Sequence, residues 1–347
     1  MSKKLQLAKF IKFIELAKFI NEYVYEHFVK FSLLFFVSFH QFLDWLLAIG
    51  TSPIMPLHFI VIGNPISHSK SPQIHHAFAK QVGLDICYQR QYCPNDANAF
   101  TAVVGAFFAG GGIGANVTVP FKQTAHQLCQ QTGKLTAQAE LAQAVNTLYQ
   151  QDGVLVGHNT DGNGLVNHLH QLGWLSSTNS TNNNSNSNHF ASKKVAIIGA
   201  GGATRGIILP LLSAGIHHID IANRTVDKAK QLICDLHSKA KQMPNDIKHL
   251  FAQASLSACA IDALTGHYHL IINATSVGLS DSRLPLSEHL RCQHAYDLMY
   301  GRELPFLQHF DALGADTSDG MGMLIGQAAL SFKQWTGQSI DTSQIYK

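Results

Sequence analysis

Several features that mark common protein classes are absent from this chain of 347 residues or are present at low levels. Charged residues make up only 14% of it, and the formal net charge of +3 is too small to indicate a nucleic-acid-binding surface. The six cysteines include no CxxC pair and the twenty histidines no HExxH motif, so the sequence predicts no metal site. Scattered cysteines are typical of a reducing compartment, and we expect a cytoplasmic protein.

Apolar residues, by contrast, are abundant enough for a globular protein. They make up 46% of the chain, and at roughly 100–200 residues per domain the length allows two domains. From residue 57 onward, short β-rich runs alternate with helical periods. We predict strands at His58–Ile62, Ile86–Tyr92 and Ala115–Val119, with helices at Pro72–Val82 and Asn95–Ala109 between them. This alternation indicates an α/β fold with a mainly parallel sheet.

Residues 1–56 differ in composition from the rest of the chain. Nine of the twenty phenylalanines fall in them, and apolar residues recur at helical spacing over Leu7–Ile20, which predicts an amphipathic helix. The run Phe31–Gly50 is nearly all apolar but contains Asp44, so it matches a membrane span of about 20 apolar residues poorly. Three interpretations stay open: a membrane-surface anchor, a helical hairpin packed on the body, or translated sequence upstream of a true start at Met55.

A second α/β unit follows residues 176–190, a tract of Ser, Thr and Asn that predicts an exposed loop. The predicted strand Lys193–Ile198 runs into the glycine-rich stretch Gly199–Gly206 and then into a predicted helix, Ile207–Ala214. In such a strand–turn–helix, glycines let a dinucleotide pyrophosphate approach the N–H groups at the helix N-terminus. The match to GxGxxG is imperfect, because Thr204 stands at the third glycine position.

The residues that follow the next predicted strand, Ile219–Ala222, bear on which dinucleotide is bound. NAD-selective sites carry an acid at this strand end for the ribose 2′-hydroxyl, whereas here Arg224 stands between Asn223 and Thr225. An arginine accommodates a 2′-phosphate, so the sequence favours NADP(H); the alternative is a solvated Arg-Thr pair that caps a helix. A later strand leads to Asn273–Ser276, small polar residues at a carboxyl end, where open α/β sheets bind ligands.

Polar side chains also gather at two places in the first half of the chain. Ser69 and Ser71 lie two residues apart beside a predicted helix N-terminus and are able to converge on one anionic group. Ser71 is also the predicted N-cap of that helix, a use compatible with ligand binding. Asn116 and Thr118 share one face of a predicted strand, so both side chains point the same way near its end.

Two charged residues are candidates for proton transfer. Pro120 is predicted to start a helix with Lys122 in its first turn, where the positive end of the helix dipole disfavours a cation. A lysine there suits a general acid or base, and the alternative is an ordinary surface lysine. Asp161 precedes the predicted helix Leu165–Leu172 and is interpreted either as its N-cap or as a functional carboxylate.

Taken together, these motifs resemble those of bacterial shikimate dehydrogenases, in the shikimate/quinate dehydrogenase family. They occur in that family's order: NPISHSKSP (64–72), ANVTVPFK (115–122), AVNT (144–147), NTDG (159–162), the glycine-rich loop from residue 199, NRT (223–225), NATS (273–276), DLMY (297–300) and GMLIGQA (322–328). The resemblance extends over nearly everything from Leu57 to the C-terminus. It leaves out residues 1–56 and the Asn/Ser-rich tract.

The resemblance implies a role for each matching residue. Lys122 and Asp161 would be the catalytic pair, and Ser69 and Ser71 would hold the substrate carboxylate. Those expected to contact ring hydroxyls or line the pocket are Asn116, Thr118, Asn146, Asp161, Tyr300 and Gln327. Those expected to bind the cofactor are Gly199, Ala200, Gly201, Gly202, Ala203, Asn223, Arg224, Thr225, Lys228, Thr275, Ser276, Leu298, Gly320 and Met323. The family often has a second arginine at the position of Lys228. Because a lysine offers only a point charge, this difference would weaken the preference for NADP over NAD.

The family fold implies two α/β domains. A substrate-binding domain would consist of residues 57–160 and 319–347, with the C-terminal helices returning to it, and a Rossmann-like NADP-binding domain of residues 161–318. Residues 1–56 would be an extra segment that the chemistry does not need. No membrane association is expected for residues 57–347, and the protein would be a monomer or a homodimer.

The activity implied by the resemblance is the reversible NADPH-dependent reduction of 3-dehydroshikimate to shikimate, in the biosynthesis of chorismate and aromatic amino acids. Two alternatives are a quinate/shikimate dehydrogenase that uses NAD and a non-catalytic regulator that senses a dinucleotide. Arg224 argues against the first of them. The second is disfavoured because a sensor needs no proton-transfer pair, whereas this chain has the complete set of Ser69, Ser71, Lys122, Asp161 and Gln327.

Overall fold

The computed structural model describes residues 9–16, 56–175, 193–275 and 284–345. Residues 9–16 are helical, in agreement with the amphipathic helix predicted there. The other expectations for residues 1–55, the predicted loop at 176–190 and the cofactor residue Ser276 lie outside the described residues. Among the residues described, no helix is long and apolar enough to cross a membrane.

The first sheet contains the six strands that precede the glycine-rich loop. They are β1 (Leu57–Gly63), β2 (Ile86–Tyr92), β3 (Gly114–Val117), β4 (Lys134–Leu135), β5 (Thr147–Gln151) and β6 (Val154–His158). Their order across the sheet is β2-β1-β3-β5-β6-β4. β5 is antiparallel to both of its neighbours, and the other pairs are parallel. The tight turn between β5 and β6 is formed by Asp152 and Gly153, which both have positive φ angles, as a two-residue hairpin requires.

Five helices accompany these strands in the sequence. They are α1 (Ser71–Val82), α2 (Ala97–Ala109), α3 (Lys122–Thr132), α4 (Ala137–Ala142) and α5 (Asp161–Gln171). α2 shows why a helix begins where it does: the Asp96 carboxylate at its N-cap accepts a hydrogen bond from the Ala99 N–H. α1 ends at Gly83, whose left-handed backbone suits a glycine at the helix end.

The second sheet is entirely parallel. Its strands are β7 (Lys194–Ile198), β8 (His218–Ala222), β9 (Ser255–Cys259), β10 (Gly266–Asn273), β11 (Leu290–Asp297) and β12 (Asp316–Ser318). They lie in the order β12-β11-β10-β7-β8-β9. The helices of this half are α6 (Gly202–Ser213), α7 (Val226–Ala240), α8 (Asn245–Gln253), α9 (Pro305–Asp311) and α10 (Met321–Thr336), followed by a 3₁₀ turn at Thr342–Gln344. The structure thus confirms an α/β fold built on two sheets.

Apolar side chains cover both faces of each sheet. In β7, Val195 and Ile197 belong to one hydrophobic cluster, while Ala196 and Ile198 belong to the cluster on the opposite face. A strand that is apolar on both faces must have helices on both sides, which explains its unbroken run of apolar residues. Around the first sheet, Phe332 of α10 packs in the same cluster as residues of β1 and α1. The C-terminal helix therefore contacts the first sheet, while the exact domain boundaries stay predictions.

The structure corrects several predicted element boundaries. α3 begins at Lys122, two residues after its predicted start at Pro120. β3 ends at Val117, two residues before its predicted end at Val119, which is 67% exposed. The strand stops there because Pro120 has no N–H and turns the chain. α6 begins at Gly202, inside the glycine-rich stretch and well before the predicted start. α5 likewise begins at Asp161, four residues before its predicted apolar run.

Candidate active site

A cavity of about 380 Å³ lies beside the carboxyl ends of β1 and β3 and the loops that follow them. All nine residues predicted to bind substrate line it: Ser69, Ser71, Asn116, Thr118, Lys122, Asn146, Asp161, Tyr300 and Gln327. This is the edge at which open α/β sheets bind ligands. The fold therefore brings motifs from distant parts of the sequence into one cavity, which we call the first cavity.

Lys122 and Asp161 form an ion pair in the wall of the first cavity. Each is the first residue of a helix, α3 and α5 respectively, and the Lys122 Nζ donates to the Asp161 Oδ2 at 2.7 Å. Their side chains are 33% and 21% exposed, so the pair is partly shielded from water yet open to a ligand. Asp161 is not an N-cap, because Thr160 occupies that position. The positive N-terminal ends of the two helices stabilise the Asp161 carboxylate and destabilise the Lys122 ammonium. The attraction between carboxylate and ammonium offsets that destabilisation.

Asn146 holds the other oxygen of Asp161. Its Nδ2 donates to the Asp161 Oδ1 at 2.8 Å, and its Oδ1 accepts from the Thr160 N–H at 2.9 Å and from the Thr147 hydroxyl at 2.8 Å. With 2% exposure, Asn146 is buried, so the orientation of its amide is determined by these protein partners. The same Nδ2 lies 3.2 Å from the Gln327 Oε1, which links the pair to α10.

Asn116 has a second set of buried contacts, which the sequence did not predict. Its Oδ1 accepts from the Tyr88 hydroxyl at 2.6 Å, and its Nδ2 donates to the Ser331 Oγ at 3.1 Å. Burial raises the pKa of Tyr88, so its hydroxyl remains a donor. Ser331 lies one helical turn after Gln327, and that i, i+4 spacing is the only sequence signal that pointed to it.

Ser69 and Ser71 converge as the sequence predicts, but by a different local geometry. The Ser69 Oγ donates to the Ser71 Oγ at 3.2 Å and accepts from the Ser71 N–H at 3.3 Å. Ser71 was predicted to be the N-cap of α1 and is instead its first residue; Lys70 is at the cap position without a side-chain cap. The Ser71 hydroxyl is therefore not used in capping, and it accepts the hydrogen bond from the Ser69 hydroxyl instead.

Tyr300 reaches the first cavity from the loop after β11, which is held by a buried acid. The Asp297 carboxylate accepts from the Asn273 Nδ2 at 2.8 Å and from the Met299 N–H at 2.9 Å. Burial raises the pKa of Asp297, and it also raises the pKa of Tyr300, with the Asp319 charge adding to the rise at Tyr300. The Tyr300 hydroxyl is therefore a protonated hydrogen-bond donor at neutral pH.

Two glycines let α5 and α10 approach closely, which brings Asp161 and Gln327 to the same cavity. A Cβ atom at Gly326 would lie 2.8 Å from the Gly164 carbonyl oxygen, and one at Gly164 would lie 2.5 Å from the Gln327 backbone nitrogen. Neither helix has room for a larger residue at this contact, since both obstructing atoms belong to backbone.

We expect Gly326→Ala to lower the free energy of unfolding by about 1–3 kcal/mol, the usual cost of overpacking a tight contact. Chemical denaturation followed by circular dichroism measures the change. The matched control is Gly105→Ala in α2, where an added Cβ would meet nothing within 4 Å. There alanine should be neutral or slightly stabilising. A Gly326→Ala protein as stable as the wild type would show that the two helices separate at no cost.

A second cavity, of about 800 Å³, lies at the carboxyl ends of strands in the second sheet. Seven residues predicted to bind the cofactor line it: Ala200, Gly201, Gly202, Ala203, Thr275, Leu298 and Met323. Gly320, also predicted for the cofactor, lines the first cavity instead. Gly199 lies at the start of the loop with φ at +113°, in the region that favours glycine.

The glycine-rich loop leaves the space that a pyrophosphate needs. An added Cβ at Gly201 or Gly202 would meet nothing within 4 Å, so the backbone N–H groups at the start of α6 are open to the second cavity. Thr204, at the imperfect motif position, is fully buried, and its hydroxyl donates to the Gly199 carbonyl at 2.8 Å. The residue that departs from the motif thus closes the loop on itself, and the loop fits a dinucleotide.

The residues predicted to recognise a 2′-phosphate follow β8. The Asn223 Nδ2 donates to the Thr225 carbonyl at 2.8 Å, and Thr225 stands at the N-cap position of α7 without a side-chain cap. Arg224 and Lys228 are exposed. The Thr225 side chain therefore does not cap α7, although the alternative interpretation of this segment required such a cap. Arg224 and Lys228 remain accessible near the end of β8.

The two cavities meet at the Lys122–Asp161 pair. The residues that line both of them are Thr118, Val119, Lys122, Asp161, Leu298 and Met323. A small molecule in the first cavity and a dinucleotide in the second would therefore have their reactive ends at the same ion pair.

Three family models match the chain. They are the shikimate dehydrogenase substrate binding domain over residues 61–148, shikimate/quinate 5-dehydrogenase over residues 181–282, and the shikimate 5′-dehydrogenase C-terminal domain over residues 320–347. A shikimate dehydrogenase (NADP(+)) of Psychrobacter cryohalolentis is 54% identical over 300 residues, covering 84% of this chain and 96% of that protein. The chain belongs to the shikimate dehydrogenase family.

Solved structures of shikimate dehydrogenases share the fold. The shikimate 5-dehydrogenase of Thermus thermophilus, in complex with NADP(H) and shikimate, is 28% identical with a TM-score of 0.61, over 83% of this chain and 96% of that one. The enzyme of Listeria monocytogenes, in complex with shikimate and NAD, is 27% identical with a TM-score of 0.66, over 84% and 95%. The matches to the family models begin at residue 61, so they leave residues 1–56 unexplained, as the motifs do.

Proposed function

We propose that this member of the shikimate dehydrogenase family catalyses the reversible NADPH-dependent reduction of 3-dehydroshikimate to shikimate, a step in the biosynthesis of chorismate and aromatic amino acids. The observation that carries the proposal is the ion pair of Lys122 and Asp161 in the wall shared by the two cavities. The relatives named as shikimate dehydrogenases (NADP(+)) support the same substrate and cofactor.

The first cavity holds the substrate in this proposal. Its carboxylate binds the hydroxyls of Ser69 and Ser71 next to the N-terminus of α1, where the helix dipole favours an anion. Its ring hydroxyls and ketone lie against the other predicted residues, Asn116, Thr118, Lys122, Asn146, Asp161, Tyr300 and Gln327. Buried partners already fix the side chains of Asn116 and Asn146, so little ordering is needed when the substrate binds.

Proton transfer is assigned to Lys122. Bound NADPH supplies the hydride that converts the ring ketone carbon to an alcohol carbon. The Lys122 ammonium donates a proton to the carbonyl oxygen, which becomes the hydroxyl of shikimate, and the steps run backwards in the oxidative direction. Asp161 accepts a hydrogen bond from the Lys122 Nζ and so holds it at the end of the substrate that faces the second cavity.

The second cavity holds the cofactor. The loop residues Gly199, Ala200, Gly201, Gly202 and Ala203 bind the pyrophosphate through open N–H groups at the start of α6. Thr275, Leu298 and Met323 of this cavity lie toward the nicotinamide end, together with Gly320 of the first cavity. The residues that surround the 2′-phosphate follow β8 and lie outside the lining of both cavities; they are Asn223, Arg224, Thr225 and Lys228. A guanidinium at position 224 matches that phosphate bidentately, whereas Lys228 offers a point charge.

The test is a spectrophotometric assay of shikimate and quinate oxidation with NADP+ and with NAD+. We expect rapid reduction of NADP+ with shikimate and slower turnover with NAD+. Efficient use of quinate with NAD+ would favour the broader quinate/shikimate dehydrogenase. Dinucleotide binding without turnover of either acid would favour a sensor and would contradict the proposal.

A separate prediction concerns the preference for NADP+ over NAD+. Loss of a charge-assisted contact to a phosphate costs about 1.5–3 kcal/mol, so Arg224→Ala should raise the KM for NADP+ at least about tenfold and leave the KM for NAD+ nearly unchanged. Arg291→Ala is the matched control, since Arg291 is an exposed arginine on β11 of the same sheet. Equal loss with both cofactors would contradict the placement of Arg224 at the 2′-phosphate.

We also propose that the protein acts in the cytoplasm as a monomer or homodimer. All six cysteines are unpaired, which supports a reducing compartment. Light scattering of the purified protein measures the oligomeric state.

A further inference from the structure

A cation of the first cavity has no part in the assignments above. Lys70 lies between Ser69 and Ser71, and its side chain lines the cavity. Its Nζ lies 5.9 Å from the ring centroid of Tyr300, which comes from the loop after β11. This distance is at the outer limit of a cation–π contact, so the ammonium lies on the side of the cavity formed by Tyr300.

The charge balance of the cavity depends on Lys70. The lysine and aspartate side chains in its lining are Lys70, Lys122 and Asp161. Lys122 and Asp161 compensate each other at 2.7 Å. Among the described residues no further carboxylate lines the cavity, so these three side chains leave a formal net charge of +1. That charge matches a monoanionic substrate.

The two serines do not supply this charge. Their hydroxyls donate hydrogen bonds to a carboxylate but are neutral, and a carboxylate that leaves water for neutral donors alone loses much of its hydration. A nearby cation offsets that loss, because hydrogen bonds and contacts between charged partners are stronger than neutral ones.

A second cation fixes the loop that carries Lys70. The Arg90 Nε and Nη2, from β2, both donate to the Ser69 carbonyl oxygen, at 3.0 and 2.6 Å. The Nη2 also donates to the Gln73 Oε1 in the first turn of α1, at 3.2 Å. The carbonyl that Arg90 holds belongs to the peptide bond between Ser69 and Lys70, so the guanidinium restrains the backbone from which both side chains extend.

We propose that the Lys70 ammonium pairs with the substrate carboxylate bound by Ser69 and Ser71, and that Arg90 is a positioning residue for this loop. Lys70 thereby determines specificity for cyclic acids over their neutral analogues. The inference rests on the proposed function, because it requires a carboxylate substrate.

The test compares Lys70→Met with the wild-type enzyme in shikimate oxidation. We expect the KM for shikimate to rise about fivefold, the effect of losing a partly exposed ion pair, with kcat and the KM for NADP+ unchanged. Lys70→Arg should restore most of the affinity, because it keeps the charge. The control is Lys80→Met, which removes an exposed lysine in the last turn of α1 and should leave kcat and both KM values unchanged.

Two further measurements separate charge from packing. Added salt should raise the KM for shikimate in the wild type and much less in Lys70→Met, because screening weakens a charge pair. The methyl ester of shikimate should have the same KM in both enzymes. An unchanged KM for shikimate in Lys70→Met, or a rise that is equally large for the ester, overturns the inference. A wild type that does not oxidise shikimate at all overturns the proposed function and this inference together.

A double-mutant cycle of Arg90 and Lys70 tests whether Arg90 acts through Lys70. Arg90→Gln should raise the KM for shikimate, and in that background Lys70→Met should have a smaller effect than in the wild type, because the loop is already loose. Arg90→Lys should recover part of the loss. Fully additive effects of the two substitutions would show that Arg90 does not act through Lys70.

Discussion

Lys122→Ala should lower kcat for shikimate oxidation by about 10²–10⁴-fold, the usual cost of removing a general acid or base. The KM for shikimate should change far less, because the carboxylate and the remaining ring contacts are intact. The reason is geometric: Lys122 supplies the amine in the wall common to both cavities, and no other lysine of the described residues lines both. Steady-state kinetics at saturating NADP+ measures the effect.

Lys122→Arg sharpens this test. Arginine keeps the positive charge and is able to pair with Asp161, but it does not give up its proton in proteins. The Lys122→Arg enzyme should therefore have a kcat nearly as low as that of Lys122→Ala if the lysine transfers a proton. Lys134→Ala, at an exposed position of β4, is the control and should be unchanged. A Lys122→Ala enzyme with wild-type kcat would rule out the assignment.

Asp161→Asn should lower kcat by about 10²-fold or more and also raise the KM for shikimate. The carboxylate accepts from two donors, the Lys122 Nζ on Oδ2 and the Asn146 Nδ2 on Oδ1. An asparagine amide has one accepting oxygen, so it would turn its own N–H₂ toward one of the two donors. Both the position of the lysine and the orientation of Asn146 would then change.

The split between kcat and KM identifies the role of Asp161. Loss of kcat with little change in KM would indicate that it acts only on Lys122, whereas loss of both indicates that it also holds a substrate hydroxyl. Asp262→Asn, at an exposed position after β9, is the control for the change of charge. An Asp161→Asn enzyme with wild-type kcat and KM would remove this carboxylate from the mechanism.

Much of the candidate site was predictable because its residues form recognisable local patterns. The lysine in the first turn of α3 goes against the helix dipole, the serines at positions 69 and 71 flank the start of α1, and glycines lie where β7 meets α6; each of these carries chemistry in the proposal. Tyr88 and Ser331 form no such pattern. A tyrosine in a strand and a serine on a helix face are ordinary, and only their contacts with Asn116 reveal their place at the site.

The N-cap assignment of Ser71 was wrong for a similar reason. A hydroxyl at the start of a helix is able either to cap the backbone or to stay free for a ligand, and the sequence is the same in both cases. The structure decides between them: Lys70 stands at the cap position, Ser71 is the first helical residue, and α1 has no side-chain cap. Asp161 presented the same ambiguity, and its contact with a lysine 39 positions earlier resolved it.

The α/β alternation, the dinucleotide loop and the polar residues at the strand ends were all predictable from the amino-acid sequence. These follow from local periodicity and from backbone conformations that only some residues adopt. The contact of α5 with α10 at Gly164 and Gly326 was not predictable, and neither was the sharing of the Lys122–Asp161 pair by the two cavities. Such contacts join residues far apart in the chain, and they depend on how whole helices pack, which no local pattern encodes.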